Sequence, residues 1–285
     1  MTKTVYLNGE FLPINEAKIS VLDRGFLFGE GVYEAIPVYN GKLFRTTEHL
    51  NRLHKSLEGI AMSVKFDEAH WTPIFEQLIE KNGGGNQALY LQVTRGTMES
   101  RNHSWDIDIQ PNIFLMSLAS KYPDPDAQEL GVKAITLDDI RWKFCNLKTT
   151  SLLANTLLHQ QATDKDAVEA ILIRDGNAIE GSASNIFIVK DEMLITPPEG
   201  NHMLSGITRE VILELCQKYK ILYRVTHITE DELHSADEVW ICASTKEIVP
   251  ITTLNQHAVG KGVPGPLWHT VIKHFKEYRQ SLMQG

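Results

Sequence analysis

What this chain of 285 residues lacks narrows its function first. Basic charge is in deficit: 28 lysines and arginines face 36 acidic residues, for a formal net charge of -8. A nucleic-acid binder needs the opposite balance to displace phosphate counterions, so the composition weighs against that class. No apolar stretch reaches the roughly 20 residues that cross a bilayer, and the opening MTKTVYLNGE has no core like that of a signal peptide. Cysteine is scarce. Cys145, Cys216 and Cys242 are far apart and odd in number, which fits neither a disulfide framework nor a zinc site. A cytoplasmic enzyme with no nucleic-acid or membrane partner is the expectation. Familiar phosphate loops are missing too: there is no GxGxxG and no Walker A pattern, and Gly25–Gly31 holds bulky aromatics where such a loop needs open backbone. The pairs His49/His54 and His269/His274 are five apart and split across helix faces, so no metal site is expected. No repeat or low-complexity segment occurs.

What is present is core-forming material. Hydrophobic residues make up 42% and charged residues 22%, enough for one large or two medium domains. Asn8-Gly9 and Asn40-Gly41 lie between apolar runs and predict hairpins in the first forty-five residues. Leu50, Leu53, Leu57 and Ile60 repeat at helical spacing behind Thr47, a candidate N-cap. A second helix is predicted over Glu68–Glu80, ending at Gly83-Gly84-Gly85. Ala88–Thr94 alternates, with Leu89, Leu91 and Val93 on one face and Tyr90, Gln92 and Thr94 on the other, as a half-buried strand does. Ile113–Leu118 is another strand. Ser120–Gly131, with Pro123 and Pro125 among charges, reads as a linker. Beyond it the pattern predicts strands near 132–137, 170–173, 186–189 and 238–243, and helices near 151–162, 207–219 and 266–282. The expected fold is α/β (α+β) in two domains: a small one over 1–120, a linker over 121–131 and a large one over 132–285.

Lys148 stands between a strand-like run and a helix start. A lysine drawn into a partly desolvated junction has a lowered pKa and an available amine, which Schiff-base chemistry needs. Its position alone reads as a solvated loop lysine. A pyridoxal phosphate site would also need a carboxylate for the pyridine nitrogen and a cup for the phosphate. Glu180, where an apolar strand breaks into a turn of small residues, is a candidate for the first. Leu204-Ser-Gly206-Ile207-Thr208 at a helix start, Ser244-Thr245 after a strand, and Arg52 beside the apolar face of the first helix are candidates for the second. Singly, each reads equally as a turn, a cap or a snorkelled arginine.

Taken in order, these segments resemble the class IV aminotransferases, the fold type IV group of pyridoxal-phosphate enzymes. The matching stretches are Asp23-Arg-Gly-Phe-Leu-Phe-Gly-Glu-Gly-Val-Tyr33-Glu, His49-Leu-Asn-Arg52-Leu, the Lys148 segment, Glu180-Gly-Ser-Ala-Ser-Asn, Leu204-Ser-Gly-Ile-Thr-Arg209 and Ser244-Thr-Lys-Glu-Ile-Val-Pro250. They span almost the whole chain. The resemblance implies pyridoxal 5'-phosphate as cofactor, Lys148 as its covalent anchor and Glu180 as partner of the ring nitrogen. It implies a phosphate cup of Arg52, Ile207, Thr208 and Thr245, with Ser244 among the cofactor-binding residues and Leu204 packed on the ring. It further implies a two-domain fold with the cofactor at the domain junction, usually in a homodimer. Ala183 stands where a serine is common, removing a hydroxyl near the cofactor.

The family includes branched-chain aminotransferases, D-amino acid transaminases, aminodeoxychorismate lyases and (R)-selective amine transaminases. Arg101 and His103 are two apart and can face the same way in an extended segment, making an anion trap. Alone they read as a polar surface loop. In context the pair resembles the carboxylate trap of D-amino acid transaminases, completed by Tyr33, with the arginine and histidine reaching in from the neighbouring subunit. That implies D-alanine, D-glutamate and 2-oxo acids as substrates. A branched-chain aminotransferase, a lyase of the same fold or a non-catalytic cofactor binder are the alternatives.

Overall fold

The computed structural model describes residues 3–119 and 124–284. The chain divides into two compact units, one of Met1–Lys121 with Leu147–Leu152, the other of Tyr122–Asn146 with Leu153–Gly285.

The first unit holds β1 (Thr4–Leu7), β2 (Glu10–Pro13), α1 (Arg24–Phe28), β3 (Gly31–Tyr39), β4 (Lys42–Leu43), α2 (Thr46–Gly59), α3 (Glu68–Lys81), β5 (Gln87–Thr94) and β6 (Asn112–Ala119). Its six strands form an antiparallel sheet in the order β2-β1-β6-β5-β3-β4. Both expected hairpins form as two-residue turns, with Leu7 opposite Glu10 and Tyr39 opposite Lys42. All four turn residues take positive φ (Asn8 49°, Gly9 106°, Asn40 51°, Gly41 81°), which asparagine tolerates and glycine adopts freely. Helix α2 buries Leu50, Leu53 and Leu57 against Val32, Ile36 and Val38 of β3, and Ile60 packs at the margin. Each fully buried leucine contributes about 1.5–3 kcal/mol.

Three local expectations are corrected. Arg45, in the left-handed region, occupies the cap position of α2 with no side-chain cap; Thr47 lies inside the helix and its hydroxyl donates to Glu68 at 2.8 Å. The short helix α1 interrupts what reads as strands and turns, started by the Asp23 carboxylate accepting from the Gly25 amide. Thr94 is buried rather than outward, because its hydroxyl donates to Asp23 at 2.8 Å.

The second unit holds α4 (Pro125–Leu130), β7 (Val132–Asp138), α5 (Leu153–Thr163), β8 (Glu169–Arg174), β9 (Asn177–Gly181), β10 (Asn185–Lys190), β11 (Met193–Thr196), α6 (Ile207–Tyr219), β12 (Tyr223–Val225), β13 (Ile228–Thr229), α7 (Glu230–His234), β14 (Glu238–Ala243), β15 (Glu247–Leu254), β16 (His257–Ala258) and α8 (Pro266–Gln284). Ten strands make one mixed sheet in the order β12-β11-β10-β14-β15-β7-β8-β9-β13, with β16 beside β15. β7 and β8 are parallel neighbours joined through α5, and β11 and β12 are parallel neighbours joined through α6, the crossovers that parallel pairing requires. Of the expected linker, residues 120–123 lie outside the described residues, and Pro125–Leu130 forms α4, capped by the Asp124 carboxylate. The helix expected from 151 begins at Leu153.

Candidate active site

Lys148 belongs to a six-residue strip laid beside β3. The Tyr33 amide donates to the Lys148 carbonyl at 3.0 Å, the Thr150 amide donates to the Gly31 carbonyl at 2.9 Å, and Thr149 bridges Val32. The Lys148 amide in turn donates to the Ser56 hydroxyl of α2 at 3.0 Å. With its backbone fixed on both sides, the half-buried side chain places Nζ 4.2 Å from the centre of the Tyr33 ring. The ring face attracts the ammonium and holds it within the fold. Tyr33 stacks on Tyr90 at 5.6 Å, and the Tyr90 hydroxyl donates to Gln92 at 2.7 Å. Burial, with Tyr33 adding to it, pushes the Tyr90 hydroxyl up to about 12, so it stays a donor.

Behind this strip lies a buried charge cluster. Glu34 alternates inward on β3 between Val32 and Ile36 and is fully covered. Arg52 of α2 forks onto its two oxygens at 2.8 Å each, and His49 Nδ1 lies 2.7 Å from Oε2. Burial pushes the Glu34 carboxyl up, but Arg52 and His49 outweigh it and hold it well below the usual range. Burial holds His49 below its ordinary value despite Glu34, so the neutral ring donates through Nδ1. Its buried Nε2 has no hydrogen-bond partner among the described residues.

In the second unit, Glu180 is the penultimate residue of β9 and its carboxyl is buried. Arg141 Nη1 donates to its Oε1 at 2.5 Å, the Leu204 amide to Oε2 at 3.2 Å, and Asn185 Nδ2 to the same oxygen at 3.3 Å. Arg141 is itself forked onto Asp139 at 2.9 Å, and Arg174 also pairs with Asp139 at 3.0 Å. Burial dominates at Glu180 and pushes its carboxyl up to about 7, with Arg141 opposing. A group poised there can hold or release a proton near neutrality.

Two residues beyond Leu204, helix α6 starts at Gly206 with no side-chain cap. Its first turn, Ile207 and Thr208, is buried. Uncapped first-turn amides favour an anion. Gly206 is required by packing: a Cβ there would lie 1.9 Å from Asn185 Oδ1. Ser244, half-buried, and Thr245, exposed, form the turn between β14 and β15. Ala183 is exposed between Ser182 and Ser184, whose hydroxyls both donate to buried Glu169. Lys246 Nζ reaches the same carboxylate at 3.1 Å. These donors fit pyridoxal phosphate: an uncapped helix start for its phosphate, and a buried carboxyl titrating near neutrality for its ring nitrogen.

Arg101 and His103 are exposed on the loop between β5 and β6. Both pack on Phe28, the guanidinium at 4.8 Å from the ring centre and the imidazole at 5.4 Å. No hydrogen bond or ring contact joins either to Tyr33 among the described residues. The first unit thus brings together Tyr33, Arg52 and Lys148, and the second brings together Glu180, Leu204, Ile207 and Thr208.

Sequence reasoning missed Glu34, His49, Arg141 and Glu169 as parts of this framework. Two carried a signal: Glu34 is a charge inside an apolar alternation, and Asp139-x-Arg141 ends a strand seven residues before Lys148. Glu169 carried none, since its partners come from three distant segments.

The family model described as amino-transferase class IV matches residues 31–254. Over 267 residues the chain is 39% identical to a D-alanine aminotransferase of Bacillus licheniformis, covering 94% of each chain. It is 38% identical over 279 residues to the D-alanine aminotransferase of Staphylococcus aureus strain MW2, covering 97% of this chain and 98% of that one. Among solved structures, the Escherichia coli branched-chain amino acid aminotransferase matches with a TM-score of 0.90 at 24% identity, over 97% of this chain and 94% of that one. The branched-chain aminotransferase of Thermoproteus uzoniensis, solved with norvaline, matches with a TM-score of 0.86 at 24% identity and the same coverage. At that identity the structural likeness establishes the fold, that of the fold type IV aminotransferases.

Proposed function

The chain belongs to the amino-transferase class IV family, and on that premise we propose that it is a pyridoxal-phosphate-dependent D-amino acid transaminase. It moves an amino group from D-alanine or D-glutamate to a 2-oxo acid in two half-reactions. The observation that carries this reading is the pairing of D-alanine aminotransferase relatives along nearly the full chain with Arg101-x-His103 on one anchored loop.

When bound, pyridoxal phosphate supplies a carbonyl that condenses with amines and a ring that accepts the electron pair released at the α-carbon. Lys148 is its covalent anchor. Once the substrate amine has taken its place on the cofactor, the Lys148 amine would be the base that takes the substrate's α-proton and hands it on within the site. The face of Tyr33 steadies that nitrogen between the two tasks. Glu180 partners the ring nitrogen, and Arg141 with Asp139 keeps its carboxyl aimed. Arg52, the amides of Ile207 and Thr208, and the hydroxyls of Ser244 and Thr245 hold the phosphate, while Leu204 packs on the ring. Tyr33, Arg101 and His103 bind the substrate carboxylate. The protein works in the cytoplasm as a homodimer, each Arg101–His103 pair serving the neighbouring subunit's site. Fixing the carboxylate there turns the α-hydrogen of a D-amino acid toward Lys148.

One titration tests the reading against a branched-chain aminotransferase and a lyase of the same fold. D-alanine, L-leucine and aminodeoxychorismate are added in turn to the holoenzyme while the cofactor's visible band is followed, with Lys148→Ala as control. D-alanine is expected to bleach the band of the wild type but not that of the variant, which lacks the base. Bleaching by L-leucine with no response to D-alanine overturns the proposal.

A further inference from the structure

We infer that Arg24 is the positioning residue of the carboxylate trap, an inference that rests on reading Arg101 and His103 as the trap. The loop that carries them has little to hold it. Residues 101–108 are all exposed, and the one large apolar side chain among them that packs back on the fold, Trp105, lies 3.9 Å from the Arg95 guanidinium and 5.9 Å from that of Arg24. Within that stretch the side-chain bond is local, from the Ser104 amide to Asn102 Oδ1 at 3.3 Å.

What holds the backbone on either side of His103 is one buried guanidinium. Arg24 is 1% exposed at the start of α1. One edge of its fork takes both oxygens of Glu30, at 2.9 and 2.6 Å. The remaining hydrogens go to three successive loop carbonyls: Asn102 at 2.5 Å, His103 at 2.9 Å and Ser104 at 3.1 Å. The Arg24 amide also donates to the Gly96 carbonyl at the base of the loop, at 2.8 Å. Glu30 is held in turn by Arg95 at 2.5 Å, whose other nitrogens donate to the carbonyls of Ile60 and Ala61. Against the upward push of burial, the two arginines keep the Glu30 carboxyl below its ordinary range.

The same short helix supplies the platform. Phe28 lies 4.7 Å from the Arg24 guanidinium, and Arg101 and His103 rest on its ring. Three fixed carbonyls around His103 leave its Cα one place to be, and Phe28 then limits the rotamers of both trap side chains. A fully buried arginine is costly to hold unless every hydrogen is used. Here the hydrogens not used on Glu30 are spent on the backbone of an exposed loop. That pattern fits a device for aiming Arg101 and His103. Lysine cannot substitute, since a single ammonium does not span Glu30 and three carbonyls.

The test compares the wild-type holoenzyme with Arg24→Lys and Arg101→Met. Four quantities are measured: KM for D-alanine and 2-oxoglutarate, kcat, cofactor dissociation, and hydrogen exchange across residues 98–106. For Arg24→Lys, KM for both substrates is expected to rise about tenfold, the loss of one good hydrogen bond in binding. Expected alongside are kcat within about threefold, unchanged cofactor dissociation, and faster exchange confined to 98–106. If that variant does not fold, Phe28→Leu removes the platform and is expected to split KM from kcat in the same way. If Arg101→Met raises KM while the positioning variant that folds leaves it unchanged, the inference falls and the trap stands. If Arg101→Met leaves KM unchanged, the trap reading falls and the inference with it. Equal loss of cofactor and substrate affinity assigns Arg24 to general stability and also overturns the inference.

Discussion

At the scale of single residues, three buried glutamates fall into two protonation regimes, and the neighbours decide which. Glu34 is held ionised by an arginine fork and a histidine, Glu169 by His159, Lys246 and two serines, both against the push of burial. Glu180 alone is raised, to about 7, because burial there outweighs Arg141. Only Glu180 is therefore poised to exchange a proton at neutral pH, which suits a partner for a ring nitrogen. Glu34 has the opposite task of fixing Arg52. In Glu34→Gln the buried fork between Glu34 and Arg52 loses its negative partner, a loss expected to cost about 3–5 kcal/mol. Urea unfolding of the apo-protein measures it, and a loss below about 1 kcal/mol would show that the cluster relaxes or takes up water.

At the scale of elements, the start of α6 links packing to ligand chemistry. Gly206 is needed because Asn185 Oδ1 fills the space of its missing Cβ, at 1.9 Å. Asn185 cannot simply move, since its amide donates to the Leu204 carbonyl at 2.8 Å and to Glu180 at 3.3 Å. Gly206→Ala is thus expected to weaken cofactor binding roughly tenfold by displacing both the helix start and Asn185. In Gly206→Ala/Asn185→Ala the clash is gone, and the two losses should not add. Strictly additive losses in equilibrium dialysis of the cofactor would refute this coupling. The hairpins, the apolar stripe of α2 and the strand β5 were legible because hairpin turns and side-chain periods are local. Gly206 was legible as a close backbone approach, but its reason, Asn185, lies twenty-one residues earlier in the chain. The strip beside β3 that carries Lys148 was not legible. Its pairing partner is over a hundred residues away, and nothing in Leu147–Leu152 alternates. Thr47 misled because Arg45 accepts the left-handed turn that starts α2, leaving the threonine inside the helix.

At the scale of the molecule, each unit keeps a buried carboxylate ionised, so acid should act on both. The sign follows from linkage. Glu169 has an ordinary value of 4.5 and is lowered to about 2 in the folded chain. An acid depressed on folding stabilises fully above its unfolded value and loses that contribution as pH falls through the folded one. The shift of 4.5 to about 2 corresponds to about 3 kcal/mol, present at neutrality and lost between those two values. Glu34, also lowered, adds to the same acid limb. Glu180 works the other way: its carboxyl, raised from 4.5 to about 7, costs stability as pH rises through that window. The two limbs meet near pH 4.5 in the wild type and are separated by difference. Glu169→Gln keeps the size of the side chain but cannot ionise. Its stability deficit, from urea unfolding of the apo-protein at a series of pH values, is expected to be largest at neutrality. It should shrink as pH falls below about 4.5 and level off near pH 2, leaving only the uncharged hydrogen bonds' share. A deficit constant across that range would mean that Glu169 titrates alike in the folded and unfolded chain, and a deficit that shrank toward neutrality would mean that the serines and Lys246 hold a neutral acid rather than an ion.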